Sequence, residues 1–559
     1  LVIEEISLEE LAEINADAPQ VISLIGYLRR IWRTNHDHKQ ETGVTAQMLA
    51  NLRARNAEYD PEVTAAIARQ GYPDVFGGIT GVKCRAAEAW ILDIYGAKEN
   101  TWKLSPTPDP EYAAAVQAKV AEDVAAAIDP EVVESGDPDA LGEAIEKESK
   151  SILEKELSKR TRAMETKIRD QFQEGGFNRA FKQVVADLVT FKAGVLKGPI
   201  TRVRTVKRWV TNPETDENVE EVSRKTITEY ERVSPLDLYP GPNSTGPDEG
   251  ALVEQIKVPR HELVLLKSEP GYFPGAIDRV LMGFSGMRGQ VESTDDASDE
   301  KQKLERRDFD EGLEFADDME GLEFYVTAQG KMLKEAGIDK QPDGKPLEDL
   351  AEYDINAILM GSELIYVRFN EDPTGSRPYH ISGWEKECGS FWYKGVPELM
   401  SDIQRMCNGS IRALAYNMSI ASGPQVVIDV TQLAPGENIS TLYASKMWQV
   451  KMKPGAGKPI DFIQPDSRAT ELMAIYDQFA KMADDYTQIP AYAYGNDAVA
   501  GAGRTFGGLS ALMSNSARGI KRVLGDIHTE IFARVIKRQF DWNMGYLDSS
   551  YRGDVEIEP

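Results

Sequence analysis

Apolar residues recur at three- and four-residue steps from Val396 to Met418, through Leu399, Met400, Ile403, Met406, Cys407, Ile411 and Leu414. This spacing predicts one long amphipathic helix over 396–422. Pro397 falls in its first turn, where a missing N–H costs nothing, and Gly423-Pro424 ends it. Gln404, Asn408, Arg412 and Asn417 keep the opposite face polar and nearly uncharged. A seam of about seven turns with such a back predicts a helix packed against copies of itself.

The same periodicities organise the rest of the chain. Helical patterns are expected at Val21–Trp32, Thr45–Gln70, within 75–95, at Glu146–Gln173 and over Phe177–Leu196. Period-two alternation follows at 200–211 and 218–233, where Arg202, Arg204, Lys207 and Arg208 form a basic strand face opposite Glu220, Glu221, Glu229 and Glu231. Further strands are expected at Leu252–Val258, Glu323–Val326, Tyr353–Leu359 and Leu364–Phe369, with a short helix at Lys331–Ala336. After Gly423 come a strand at Gln425–Val430 and two helices, Arg468–Asp485 and Gly508–Asn543. A loop of small and aromatic residues, 486–507, separates those helices. The fold class is therefore α+β, mainly helical with β-rich segments.

The chain of 559 residues is long enough for several domains. Its 91 acidic against 64 basic residues give a net charge of −27, and residues 292–323 alone carry 14 acidic against 4 basic. That stretch is expected to be a solvated connection. A conventional nucleic-acid binder shows a basic footprint, because affinity comes from neutralising phosphates. This chain has none overall, so it either avoids nucleic acid or meets it without holding it. No apolar run approaches a membrane span, and the first residues are acidic where a signal peptide would be basic. Cys84, Cys388 and Cys407 are isolated, which supports neither a zinc knuckle nor a disulfide framework and fits a reducing place of folding.

Motifs with chemistry are weak. His36-Asp37-His38 lacks a third ligand and reads as a solvated turn. Gly77-Gly78 and Gly81 with Lys83 lack the GK[ST] ending of a phosphate loop and read as the start of a helix. The Gly501–Gly508 stretch reads as a hinge or mobile tip rather than a nucleotide loop. His261, His380 and His528 are scattered and read as structural, and no acidic residue sits in a setting that would visibly raise its pKa. No catalytic residue, cofactor or metal ligand is assigned.

The order of four motifs resembles that of the portal (head–tail connector) proteins of tailed double-stranded DNA phages, in particular the large type of short-tailed phages. They are METKIRDQFQEGG (164–176) with FKAGVLKGP (191–199), VSPLDLYPGP (233–242), the 389–424 stretch with Gln404, Asn408, Asn417 and Gly423-Pro424, and 503–542. Together they reach over roughly two thirds of the chain. The resemblance implies a twelve-fold ring at one capsid vertex with a channel for DNA packaging and ejection, no enzymatic activity, no cofactor and no membrane contact. Implied partners are further copies of the chain, double-stranded DNA without sequence preference, the terminase large subunit, tail adaptors, and major capsid and scaffold proteins; the implied place is the virion, after assembly in host cytoplasm.

Mapped onto this chain, the resemblance implies a wing at 1–290, an acidic connection at 291–320, a clip at 321–388, a stem helix at 389–423, a wing return at 424–466, helices flanking a tunnel loop at 467–515 and a crown at 516–559. Candidate channel residues are Gln404, Arg405, Asn408, Arg412 and Asn417, and candidate tunnel-loop residues are Tyr494, Asn496, Arg504 and Thr505. Leu399, Ile403, Met406, Leu414 and Met418 form the candidate subunit seam. A first stem helix is expected before the clip, at 273–284 or within 300–320. The competing readings are an acidic adaptor or scaffold without a channel, and a hydrolase using a pair of carboxylates.

Overall fold

The computed structural model describes residues 21–96, 102–104, 138–211, 218–283, 318–341, 344–370, 372, 375–436, 439, 446–451, 455, 457–489 and 520–545. They form a mixed α+β structure in two compact units. The larger contains the described residues up to Leu49, from Ala87 to Gly395 and after Ala517; the smaller contains Ala50–Ala86 and those of Val396–Ser516.

The larger unit is built on a five-stranded antiparallel sheet in the order β3-β4-β5-β6-β7, with β3 Leu238–Pro240, β4 Leu252–Pro259, β5 Asp318–Gln329, β6 Glu352–Met360 and β7 Glu363–Phe369. Alternate residues of β6 serve two cores. Ile355, Ala357 and Leu359 join Leu24, Leu28 and Trp32 of helix α1 (Val21–Glu41). Ile358 and Met360 join Leu263 and Ile277 of two short helices, Arg260–Leu266 and Pro274–Gly283. A sheet covered on both faces explains the unbroken apolar run Ala357–Met360.

The expected boundary between wing and clip at residue 320 runs through this sheet. β4 pairs along its whole length with β5, from Leu252↔Tyr325 to Pro259↔Asp318. Strands β5, β6 and β7 of the segment expected as a clip at 321–388 therefore share one sheet with β3 and β4 of the segment expected as wing. The helix at Pro274–Gly283, one place expected for a first stem helix, is instead a short element buried against β7; the other, 300–320, falls almost wholly outside the described residues.

A second sheet, β2-β1-β8, combines the hairpin of β1 (Gly194–Thr211) and β2 (Asn218–Val233) with β8 (Tyr379–Ser382). The cross-strand charge pairing expected there occurs at Arg202, which meets Glu229 and Glu231. The helix expected over Phe177–Leu196 ends at Thr190, because the chain turns extended at Phe191 and joins β1 from Gly194; its buried Phe181, Val184, Val185 and Leu188 pack beside this sheet. A Cβ at Gly194 would stand 2.5 Å from the Val184 carbonyl oxygen, so the glycine in FKAGVLKGP allows helix and strand to touch. Helix Pro138–Glu174, longer at its start than the expected 146–173, ends against β2. Gln171 then bonds Gln539 and Asn543 of the terminal helix Arg534–Gly545 in a buried amide cluster.

Two local expectations change. His36-Asp37-His38 lies within α1 rather than in a turn, and His36 packs near Trp32 and Tyr239. The single helix expected over 45–70 is two, Val44–Asn56 and α3 (Pro61–Gln70), because Ala57 adopts φ 62° and Pro61 begins a new first turn.

Candidate functional site

The smaller unit is organised around the stretch that dominates the sequence. The expected continuous helix is broken once. A short turn, Val396–Leu399, is followed by helix α11 (Ser401–Ala421). Helix α12 (Ala469–Thr487) packs along α11. The two run antiparallel: Arg468 at the start of α12 donates its N–H to Asn417 Oδ1 near the end of α11, at 2.9 Å. Gln464 Nε2 donates to the Ala421 carbonyl from the same end. The chain between the helices includes the two-stranded ladder β11 (Gln425–Ile428) with β12 (Ile460–Ile463). The segment expected as a wing return is thus the connection between two paired helices.

The polar face of α11 is where expectation and structure part most clearly. Gln404 and Asn408, expected along a channel wall, are each 4% exposed. Asn408 Oδ1 accepts the Gly77 N–H at 2.9 Å, and Gln404 Oε1 accepts from the backbone and hydroxyl of Thr80. Gln404 Nε2 donates to the Gly77 carbonyl and to Asn408 Oδ1. These amides satisfy the Thr80 N–H, one of the donors left open in the first turn of helix α4 (Ile79–Gly96), and the backbone of Gly77 just before it. The glycines at 77–81 therefore begin a helix, as their sequence suggests. Gln404 and Asn408, expected on an exposed polar face, are instead buried inside the smaller unit and bonded to the segment before and at the start of α4.

The remaining candidates differ in exposure. Arg405 is exposed and pairs with Asp402 at 3.3 Å. Arg412 is half-buried, its guanidinium over the ring of Tyr59 at 5.2 Å, with Nη1 buried and lacking an acceptor among the described residues. Asn417 is half-buried at the meeting of α11 and α12. Of the seam, Ile403 is buried at 7% exposure and Leu399 and Leu414 are half-buried. Met406 and Met418 are exposed. The seam is therefore mixed, part internal core and part free surface. Tyr494, Asn496, Arg504 and Thr505 lie outside the described residues.

Sequence reasoning missed Lys83. Its Nζ is buried, pairs with Asp484 near the end of α12 and donates to the carbonyl of Ile489. Burial pulls its pKa down against the pull of Asp484. Lys83 thus fastens the chain at the point where it leaves α12. Its place beside three glycines drew attention to phosphate instead.

A second polar centre lies in the larger unit, where Lys197 Nζ donates to Glu254 at 2.6 Å and Glu323 at 2.5 Å. Tyr379 also donates to Glu254, and Asn356 to Glu323. Burial raises Glu254 to about 7, against the attraction of Lys197. The expectation that no acid has a raised pKa is corrected here; β-strand alternation hides a burial that only the two sheets together create. Both carboxylates are 7% exposed and engaged by donors, and through Lys197 they tie β1 to β4 and β5. His380 is likewise structural: Nε2 pairs with the Gly198 carbonyl oxygen, and burial lowers its pKa to about 3.

Among the described residues no group of three or more His, Cys, Asp or Glu is placed to hold a metal, and no helix is long and apolar enough to cross a membrane. No protein-family model matches the chain, and no curated protein matches its sequence.

Proposed function

We propose that the chain is the subunit of a phage portal, a ring of about twelve copies at one capsid vertex through which double-stranded DNA is packaged and ejected. The observation that carries this reading is the smaller unit. Two antiparallel helices, joined through a small β ladder, leave Met406, Met418, Met473, Ile475, Met482 and Tyr486 exposed. A soluble monomer rarely leaves so much apolar surface on one small unit, and other copies would cover it. In this reading α11 and α12 are the paired stem helices, which removes the need for a stem helix before residue 320. The connection at 422–468 takes the role of clip and would meet the terminase large subunit and, later, tail adaptors. The sheets of the larger unit serve as wing against capsid and scaffold proteins.

The acidic balance agrees with a conduit, since each neutralised phosphate would add affinity and friction to a strand that must move. The ring is a passive channel; ATP hydrolysis belongs to the separate motor. Imaging of the purified full chain tests the reading: closed rings with a central hole are expected, and a solid or monomeric particle at every concentration would refute it.

A further inference from the structure

A groove of about 550 Å³ lies between α3 and α11, lined by Val63, Ile67, Tyr72, Gly409, Arg412 and Ala413 among others. Three features of it bear on what it could receive. Gly409 sits in the interior of a 21-residue helix, where glycine weakens the helix, yet a Cβ built on it meets nothing within 4 Å. The fold of the unit does not require that glycine. Arg412, its guanidinium stacked over Tyr59, brings a positive charge to the groove wall. The other walls are largely small or apolar, with Glu62 and Gln70 the further polar residues of the lining, both on α3.

The other helix of the pair presents a matching ridge. Glu471, Ile475, Gln478, Met482 and Tyr486 follow four- and three-residue steps along α12, and all five are exposed. Height along the pair can be read from internal contacts. Asn417 is level with Arg468, and Gly77 lies against both Ile411 and Tyr476. With about 1.5 Å of rise per residue on each helix, Arg412 therefore stands at the level of about residue 473, between Glu471 and Ile475. Copies related by rotation about an axis along these helices present equal heights to each other. A ring also requires two different surfaces of the subunit to meet, not one surface meeting itself.

We propose that the groove between α3 and α11 receives the α12 ridge of a second copy of this chain, with Ile475 seated over Gly409 and the Glu471 carboxylate against Arg412. This rests on the ring reading above and names the contact that would close the ring. It also reassigns Arg412, from a channel wall to a joint between subunits.

The test is a charge exchange in the full chain, followed by native mass at graded protein concentration. Arg412→Glu and Glu471→Arg should each raise the concentration needed for half-assembly by about tenfold or more. The double variant should recover most of that loss. Gly409→Met should block assembly, whereas Gly409→Ala should leave the subunit folded and at least as resistant to unfolding. Because Glu471 is exposed, Glu471→Arg reports on assembly even if Arg412→Glu perturbs folding. Singles that assemble like the parent, or a double no better than the singles, overturn this contact while rings of the parent chain keep the portal reading intact. A parent chain that stays monomeric throughout counts against both.

Discussion

The two units of this chain spend their apolar residues differently. In the larger, Leu24, Leu28, Phe324, Ile355 and Ile365 are wholly buried between helices and a sheet covered on two faces. The smaller unit buries few, among them Val396, Met400, Ile403 and Cys407, and exposes Met406, Met418, Val427, Phe462, Ile475 and Tyr486. Its interior relies on polar bonds, those of Gln404, Asn408 and Lys83. One unit completes its core within a single chain. The other has its helices fixed by amides and a lysine and keeps its apolar residues for something else.

The comparison breaks first at the ionic centre of the larger unit. Lys197→Met leaves Glu254 and Glu323 buried together without their cation, and denaturant titration should show a loss on the order of 3–5 kcal/mol. Next in size, Gln404→Leu strands the buried Thr80 N–H in the smaller unit, a loss of about 1–3 kcal/mol on the same measurement. If both changes prove silent, the contrast between a self-contained and a polar-pinned unit is wrong.

Stability against pH separates the units further. His380 binds its proton near pH 3 when folded and about 6.5 when unfolded. Between those values the unfolded chain holds more protons, so stability falls as pH drops through this window, with a slope approaching 1.4 kcal/mol per pH unit from this one group. His380→Gln should flatten that slope in a pH series of unfolding curves. The smallest effect is expected at Ile475→Asp, which should change the stability of the isolated chain by no more than about 0.5 kcal/mol while preventing assembly. Ile403→Asp would not serve for this purpose, since Ile403 belongs to the unit's own core.

Much of the fold was legible in the sequence. The helix starting at Phe177, the strands at 200–211 and 218–233, four strands of the large sheet and the helix expected at 468–485 follow apolar spacing that local geometry enforces, although the residues 194–196 expected as helix belong to β1. Pairing across long separations was not legible. Nothing in the sequence of β5 says that its neighbour is β4, about seventy residues earlier, so the clip boundary was drawn through a sheet. The candidate site was legible in outline and misread in detail. Periodicity marked Gln404 and Asn408 as a polar face, and polar faces are usually wet; here the start of α4 supplies unbonded backbone groups that two amides satisfy. Lys83 and Asp484 are four hundred residues apart in the chain, and neither carries a local sign of the other.

The most direct measurement is the native mass of the full chain in dilute buffer as its concentration is raised. On the portal proposal the 62.1 kDa chain should give a closed particle of about twelve subunits, with α11 and α12 more strongly protected from hydrogen exchange in that particle than in the single chain. A stable monomer at every concentration, with those helices equally protected throughout, would contradict it.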